Sequence, residues 1–129
     1  MIVVDTSVWI SYFGSDPSRA TLLIEADEVI DQIVVGDVIL LEVLQGARDL
    51  RHARKLESRL RRFQIEGMLN PQLAIRAAEH YRTLRGLGVT VRKTADLIIA
   101  TFCIDRGFTL LHENRDFTPM AIHLGPQVL

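Results

Sequence analysis

The apolar positions of this chain change period along its length, and each change marks an element. Ile2-Val3-Val4 is a short, continuous, β-branched run without polar alternation, the pattern of a strand buried on both faces of a parallel sheet. Asp5-Thr6-Ser7 then turns the chain into a short helix through Trp9 and Phe13 that ends near Gly14. Asp16-Pro17, an acid followed by proline, reads as the start of a second helix running to about Asp27. Residues 33–35 repeat the buried-strand pattern, and Gly36-Asp37 opens a third helix, with Asp37 as its cap, that carries Glu42 and stops near Gly46.

Over residues 48–63, Leu50, Ala53, Leu56, Leu60 and Phe63 recur at helical spacing and leave the basic residues mainly on the other side. Asn70-Pro71 begins a further helix with Leu73, Ala77, Tyr81 and Leu84 on one stripe, closing at Gly86 or Gly88. Thr94 is expected to cap a helix that is apolar nearly all round from Leu97 to Ile104 and ends at Gly107, which makes it central. Residues 108–111 form another buried strand, residues 112–116 a polar turn, and residues 121–124 a last edge strand. Strands alternating with helices predict an α/β sandwich around a mainly parallel sheet.

Composition narrows this picture. With 129 residues, 48% of them hydrophobic, residues 1–129 fit one globular unit with little room for a second. The apolar runs fall well short of the roughly 20 residues of a membrane span, and the amino terminus lacks a basic start and a small-residue cleavage site, so no membrane association and a cytoplasmic location are expected. One cysteine, Cys103, in an apolar helical run, excludes an internal disulfide and a cysteine zinc site. The net charge is −1, yet seven of the 15 basic residues fall between Arg48 and Arg62. A negative pocket beside a positive rim would suit a polyanion drawn to a metal.

Four acids carry the chemistry. Asp5 ends the first strand, Glu42 interrupts an apolar helix, Asp96 precedes Leu97-Ile98-Ile99-Ala100, and Asp116 closes the turn after Leu110-Leu111. An unpaired buried carboxylate is costly, so each needs a partner. In open parallel sheets the functional crevice lies beyond the carboxyl ends of the strands, where Asp5 and the 114–116 turn both fall. Asp96 sits in a first helical turn, where the dipole favours its charge. Each also has an ordinary role open to it, as helix-start acid, turn residue or surface ion-pair partner.

Gathered together, four carboxylates repel, at about 4 kcal/mol for like charges about 4 Å apart at an effective dielectric of 20. A divalent cation removes that cost, and oxygen ligands without a cysteine or histidine cluster select magnesium or manganese over zinc. Carboxylate-held metal suits hydrolysis of a phosphodiester. Thr6 or Ser7 is placed to orient a water or phosphate oxygen, and either hydroxyl also fits the N-cap of the following helix. Arg92 and Lys93, just before the Asp96 helix, and Arg115, beside Asp116, are candidate phosphate contacts. His112 is the histidine nearest the site, with a structural role expected.

These residues, in this order and spacing, resemble the PIN-domain ribonucleases, and within them the VapC-type toxins of bacterial toxin-antitoxin pairs. The likeness rests on Ile2-Val3-Val4-Asp5-Thr6-Ser7, Glu42 followed by Gly46-Ala47, Thr94-Ala95-Asp96-Leu97-Ile98-Ile99-Ala100, and Asn114-Arg115-Asp116-Phe117. The resemblance implies a three-layer α/β/α sandwich and a magnesium-dependent endoribonuclease in which Asp5, Glu42, Asp96 and Asp116 form the metal site and Thr6 or Ser7 assists. It also implies a homodimer, a small antitoxin lying over the active site, and structured RNA such as transfer RNA as substrate. Glu113 competes with Asp116 for the fourth position, and the Arg-Asp-Phe context favours Asp116. A strand-end aspartate also serves as nucleophile in small-molecule phosphatases and phosphotransfer domains, which makes that chemistry at Asp5 the alternative; a non-catalytic module that recruits protein or RNA through the basic helix is a third reading.

Overall fold

The computed structural model describes residues 1–129. In chain order its elements are β1 (Ile2–Val4), α1 (Thr6–Phe13), α2 (Arg19–Ile24), α3 (Asp27–Ile30), β2 (Ile33–Gly36), α4 (Asp37–Gln45), α5 (Leu50–Leu60), β3 (Gln64–Glu66), α6 (Pro71–Gly86), α7 (Thr94–Arg106), β4 (Thr109–Leu111) and α8 (Phe117–Leu124). The four strands form one sheet in the order β3-β2-β1-β4, and every neighbouring pair is parallel. The β-branched runs read as buried strands are buried here, with Val3, Val4, Val34 and Val35 wholly enclosed.

Parallel strands cannot be joined by tight turns, so each crossover carries helices that cover the sheet. The helices pack in two groups, α1 to α5 and α6 to α8, which gives the expected α/β/α layering. The chain builds β2 and β3 outward on one side of β1 and then adds β4 on the other. The carboxyl ends of β1 and β4 therefore flank the point where strand order reverses, the place where open α/β sheets hold their ligands. No helix is long and apolar enough to cross a membrane.

Several elements depart from expectation. Residues 121–124 are not an edge strand but the end of α8; Phe117, Met120, Ala121 and Leu124 recur at helical spacing, and Phe117 and Met120 are buried. The edge position beside β4 is touched by Val128, which bridges Leu110. The second helix does not start at Asp16-Pro17. Ser18 caps α2, its Oγ accepting from the Thr21 N–H at 3.1 Å while Thr21 Oγ1 accepts from the Ser18 N–H at 2.8 Å. This reciprocal cap is the stronger start signal, and α2 stops at Ile24 with the separate α3 beyond it. Asp37 is the first residue of α4, with Gly36 in the cap position, and Lys93 takes the place expected of Thr94. Strand β3 carries one apolar residue among exposed or half-buried positions and shows no strand pattern. On α6, Leu73, Ala77 and Leu84 are buried as expected, whereas Tyr81 is exposed.

Gly36 joins β2 to α4 in close contact with the wholly buried Met68: a Cβ there would fall inside van der Waals contact of the Met68 Sδ and Cε atoms. Gly36→Ala is expected to lower stability by about 1–3 kcal/mol through overpacking. Urea denaturation measures it, and an unchanged midpoint would contradict this packing.

Candidate active site

The site is built from the end of β1. The Asp5 N–H donates to the Leu111 carbonyl at 2.9 Å and ties the ends of β1 and β4 together. The chain then turns into α1, and Asp5 itself is the N-cap: its Oδ2 accepts from the Ser7 N–H at 3.0 Å and from Ser7 Oγ at 2.6 Å. The cap expected of Thr6 or Ser7 thus belongs to the acid before them. Thr6, first residue of α1, donates instead to Glu42 Oε1 at 2.7 Å and brings α4 to the same edge. Asp96 lies in the first turn of α7 and is 3% exposed. The Asn114 side-chain amide donates to Asp96 Oδ2 at 3.2 Å, and Asn114 Oδ1 accepts from the Asp116 N–H at 3.0 Å.

All four predicted acids line one cleft of about 310 Å³, together with Thr6, Ser7, Ile10, Lys93, Glu113 and Asn114. Of the three predicted basic contacts, Lys93 faces this cleft, while Arg92 and Arg115 are exposed and lie outside its lining. Sequence adjacency to an acid does not determine where a long side chain points. Asn114, not among the residues expected from the sequence, is the polar link between Asp96 and Asp116. Its signal is an amide two residues before the last acid in a turn, a spacing at which an Asx side chain accepts from the backbone.

Glu113 does not join the other acids through its carboxylate. Its oxygens accept from Ser11 Oγ at 3.1 Å and from Ser18 Oγ, and its N–H donates to Ser7 Oγ at 3.1 Å. Ser7 thereby connects the β4–α8 loop to Asp5. His112 is half-buried and packs on Phe117, and its Nδ1 accepts from the Asn114 N–H at 3.2 Å. Burial holds its pKa below the ordinary histidine value, against an opposing pull from Asp5. A neutral ring that orders the loop is the structural role expected of it. Cys103 is a buried core thiol, pushed up to about 12 mainly by burial.

Lys93 is the one basic side chain in the acidic cleft. Burial, then the charge of Asp5, raise the Asp96 carboxyl to about 6; the Asn114 hydrogen bond and Lys93 oppose this and Glu42 adds to it. Asp5 Oδ1 is buried without a hydrogen-bond partner. An all-carboxylate donor set, mutual repulsion and an orphaned oxygen fit a hard divalent cation. No group of three or more of these side chains converges closely enough to hold a metal ion by itself.

Since the folded protein binds the Asp96 proton more tightly than the unfolded chain, ionising Asp96 costs stability as pH rises from the unfolded value of 3.8 through about 6. In chelator, Asp96→Asn is therefore expected to stabilise the protein at neutral pH by on the order of 1–3 kcal/mol, with the gain fading below about pH 4. Thermal denaturation across pH measures this; a pH-independent effect, or destabilisation at neutral pH, would contradict it.

The PIN domain family model matches residues 2–122. A VapC ribonuclease of Mycobacterium bovis and ribonuclease VapC11 of Mycobacterium tuberculosis are each 35% identical to this chain over 128 residues, covering 94% of it and 92% of the relative. Among solved structures, VapBC2 from Rickettsia felis bound to a promoter DNA fragment superposes with a TM-score of 0.79 at 17% identity, covering 100% of this chain and 98% of that one. DNA-bound VapBC from Salmonella typhimurium follows at 0.78 and 18%, covering 99% and 96%. With its parallel sheet and acids gathered at the β1–β4 reversal, the chain belongs to the PIN domain family.

Proposed function

We propose that this chain is a divalent-metal-dependent endoribonuclease, the toxin of a toxin-antitoxin pair, with residues 1–129 acting as a single nuclease domain. The observation that carries this reading is the single cleft that Asp5, Glu42, Asp96 and Asp116 line together, with one lysine for counter-charge. The ribonuclease names of the 35% identical relatives support the activity, and the VapBC structural neighbours support an antitoxin partner. A second copy of the chain as dimer partner, transfer RNA among the substrates and a cytoplasmic site of action complete the reading.

Asp5 and Asp96 are the principal ligands, with magnesium the preferred ion and manganese its substitute. Glu42, oriented by Thr6, and Asp116, oriented by Asn114, complete the set. Asp116 takes the fourth position because the Glu113 carboxylate is engaged by Ser11 and Ser18. Bound there, the cation supplies Lewis-acid stabilisation of phosphate charge and lowers the pKa of a water. Ser7 fixes one Asp5 oxygen and leaves the other for the ligand. Lys93 offers a phosphate contact at the cleft wall.

Asp5→Asn is expected to reduce magnesium-stimulated cleavage of total RNA by more than about 100-fold with the fold retained. Ser7→Ala, which leaves every acid in place, is expected to cost about 10–100-fold through metal affinity. End-mapped cleavage assays with circular dichroism as the folding control measure both. Full cleavage by folded Asp5→Asn would refute the assignment.

A further inference from the structure

The basic segment opens a second cleft, of about 580 Å³, lined along α5 and by Phe13 at the far end of α1. Arg51, Lys55 and Arg59 line it from one face of α5, four residues apart, and Arg48 lines it from the turn before the helix cap. At 1.5 Å rise per residue the three on α5 make a row about 12 Å long with a cation about every 6 Å. None of the four has a carboxylate partner: the one ion pair on α5 joins Arg61 to Glu57, and the other two in the molecule lie on other elements. Asp49, the acid nearest the row, is the helix cap and accepts from the His52 N–H at 2.8 Å. Seven bases against two acids between Arg48 and Arg62, in a chain of net charge −1, leave the rest of the molecule distinctly acidic.

Helix α1 contributes to both clefts. Ser7 and Ile10 on α1 face the acidic cleft and Phe13 the basic one, and Ser7 and Phe13 lie about 9 Å apart along the helix. A polyanion entering the acidic cleft meets five carboxylates and one lysine there and needs favourable charge elsewhere. Apart from Phe13, only Leu56 is apolar in the second cleft, and it is buried, so the groove lacks the apolar floor that an amphipathic protein helix requires. The Arg59 guanidinium stacks 4.6 Å from the Phe13 ring centre, a platform of the kind that packs against unpaired bases.

We propose that this face of α5 is a docking track for the phosphate backbone of RNA, engaged by the substrate beyond the scissile bond and independent of its sequence. The proposal rests on the endoribonuclease reading and adds to it a second point of attachment. Arg51 and Lys55 are exposed, so reversing both charges leaves the core intact.

The test uses Arg51→Glu/Lys55→Glu in an Asp96→Asn background that does not turn RNA over, with a labelled 20-nucleotide oligouridylate titrated at several salt concentrations. Affinity is expected to fall at least about tenfold, and the slope of log affinity on log salt to shallow by about 1.4, the value for two phosphates of a single strand no longer neutralised. With the acids intact, the same pair of changes is expected to raise KM for the 20-mer and leave hydrolysis of a dinucleotide unchanged. Unaltered affinity and salt slope would overturn the proposal. So would a loss confined to a 20-residue oligoglutamate peptide, which would give the groove to an acidic protein segment. If the RNA binds through Arg51 and Lys55 but wild-type protein never cleaves it, the docking track stands and the endoribonuclease reading fails.

Discussion

Asp5 and Asp96 are buried beside each other, and most of the site is organised around that constraint. Burial raises the cost of ionising Asp96, and the charge of Asp5 adds to it. The chain offsets part of this with hydrogen bonds: Ser7 to Asp5, Asn114 to Asp96, Thr6 to Glu42. These bonds fix the carboxylates without neutralising them. Residual repulsion and the unpartnered Asp5 oxygen are the features that a bound divalent ion would satisfy.

The fold makes that gathering possible at small cost in chain length. β1 occupies the interior of the sheet, and adding β4 on its free side places two strand ends side by side. Asp5 leaves one end, and the loop bearing Asn114 and Asp116 leaves the other. Helices α4 and α7 bring Glu42 and Asp96 to the same edge. Ser7 is the junction between these parts, since it donates to Asp5 and accepts from the loop through the Glu113 N–H. The same helix that starts at the acids ends at Phe13, beside the basic face of α5, so one short element couples two regions of opposite charge.

The acids are legible in the sequence because a charge that interrupts an apolar run is expensive, and the parallel strands are legible because buried strands need no alternation. What stays hidden is of a different kind. Asn114 carries no charge and so leaves no energetic anomaly. Arg92 and Arg115 adjoin site acids in sequence, but their side chains lie outside the cleft lining, a matter of orientation that spacing does not encode. Residues 121–124 look like a strand when read as four residues, and their helical period emerges only when Phe117 and Met120 are included. Strand β3 pairs with β2 and packs only Ile65, half-buried, against the core. The capping role of Asp5 is obscured by Thr6 and Ser7, which look like better caps, when the strand-end acid performs both tasks.

Whether the carboxylate cleft is a hard-cation site is tested most directly by calorimetric titration of magnesium and manganese into chelator-treated protein near pH 6, in buffers of different ionisation enthalpy. Saturable binding at millimolar ion or below is expected, accompanied by release of the proton that Asp96 holds at about pH 6 in the metal-free protein. Absence of binding by either ion, or binding without proton release, would contradict it.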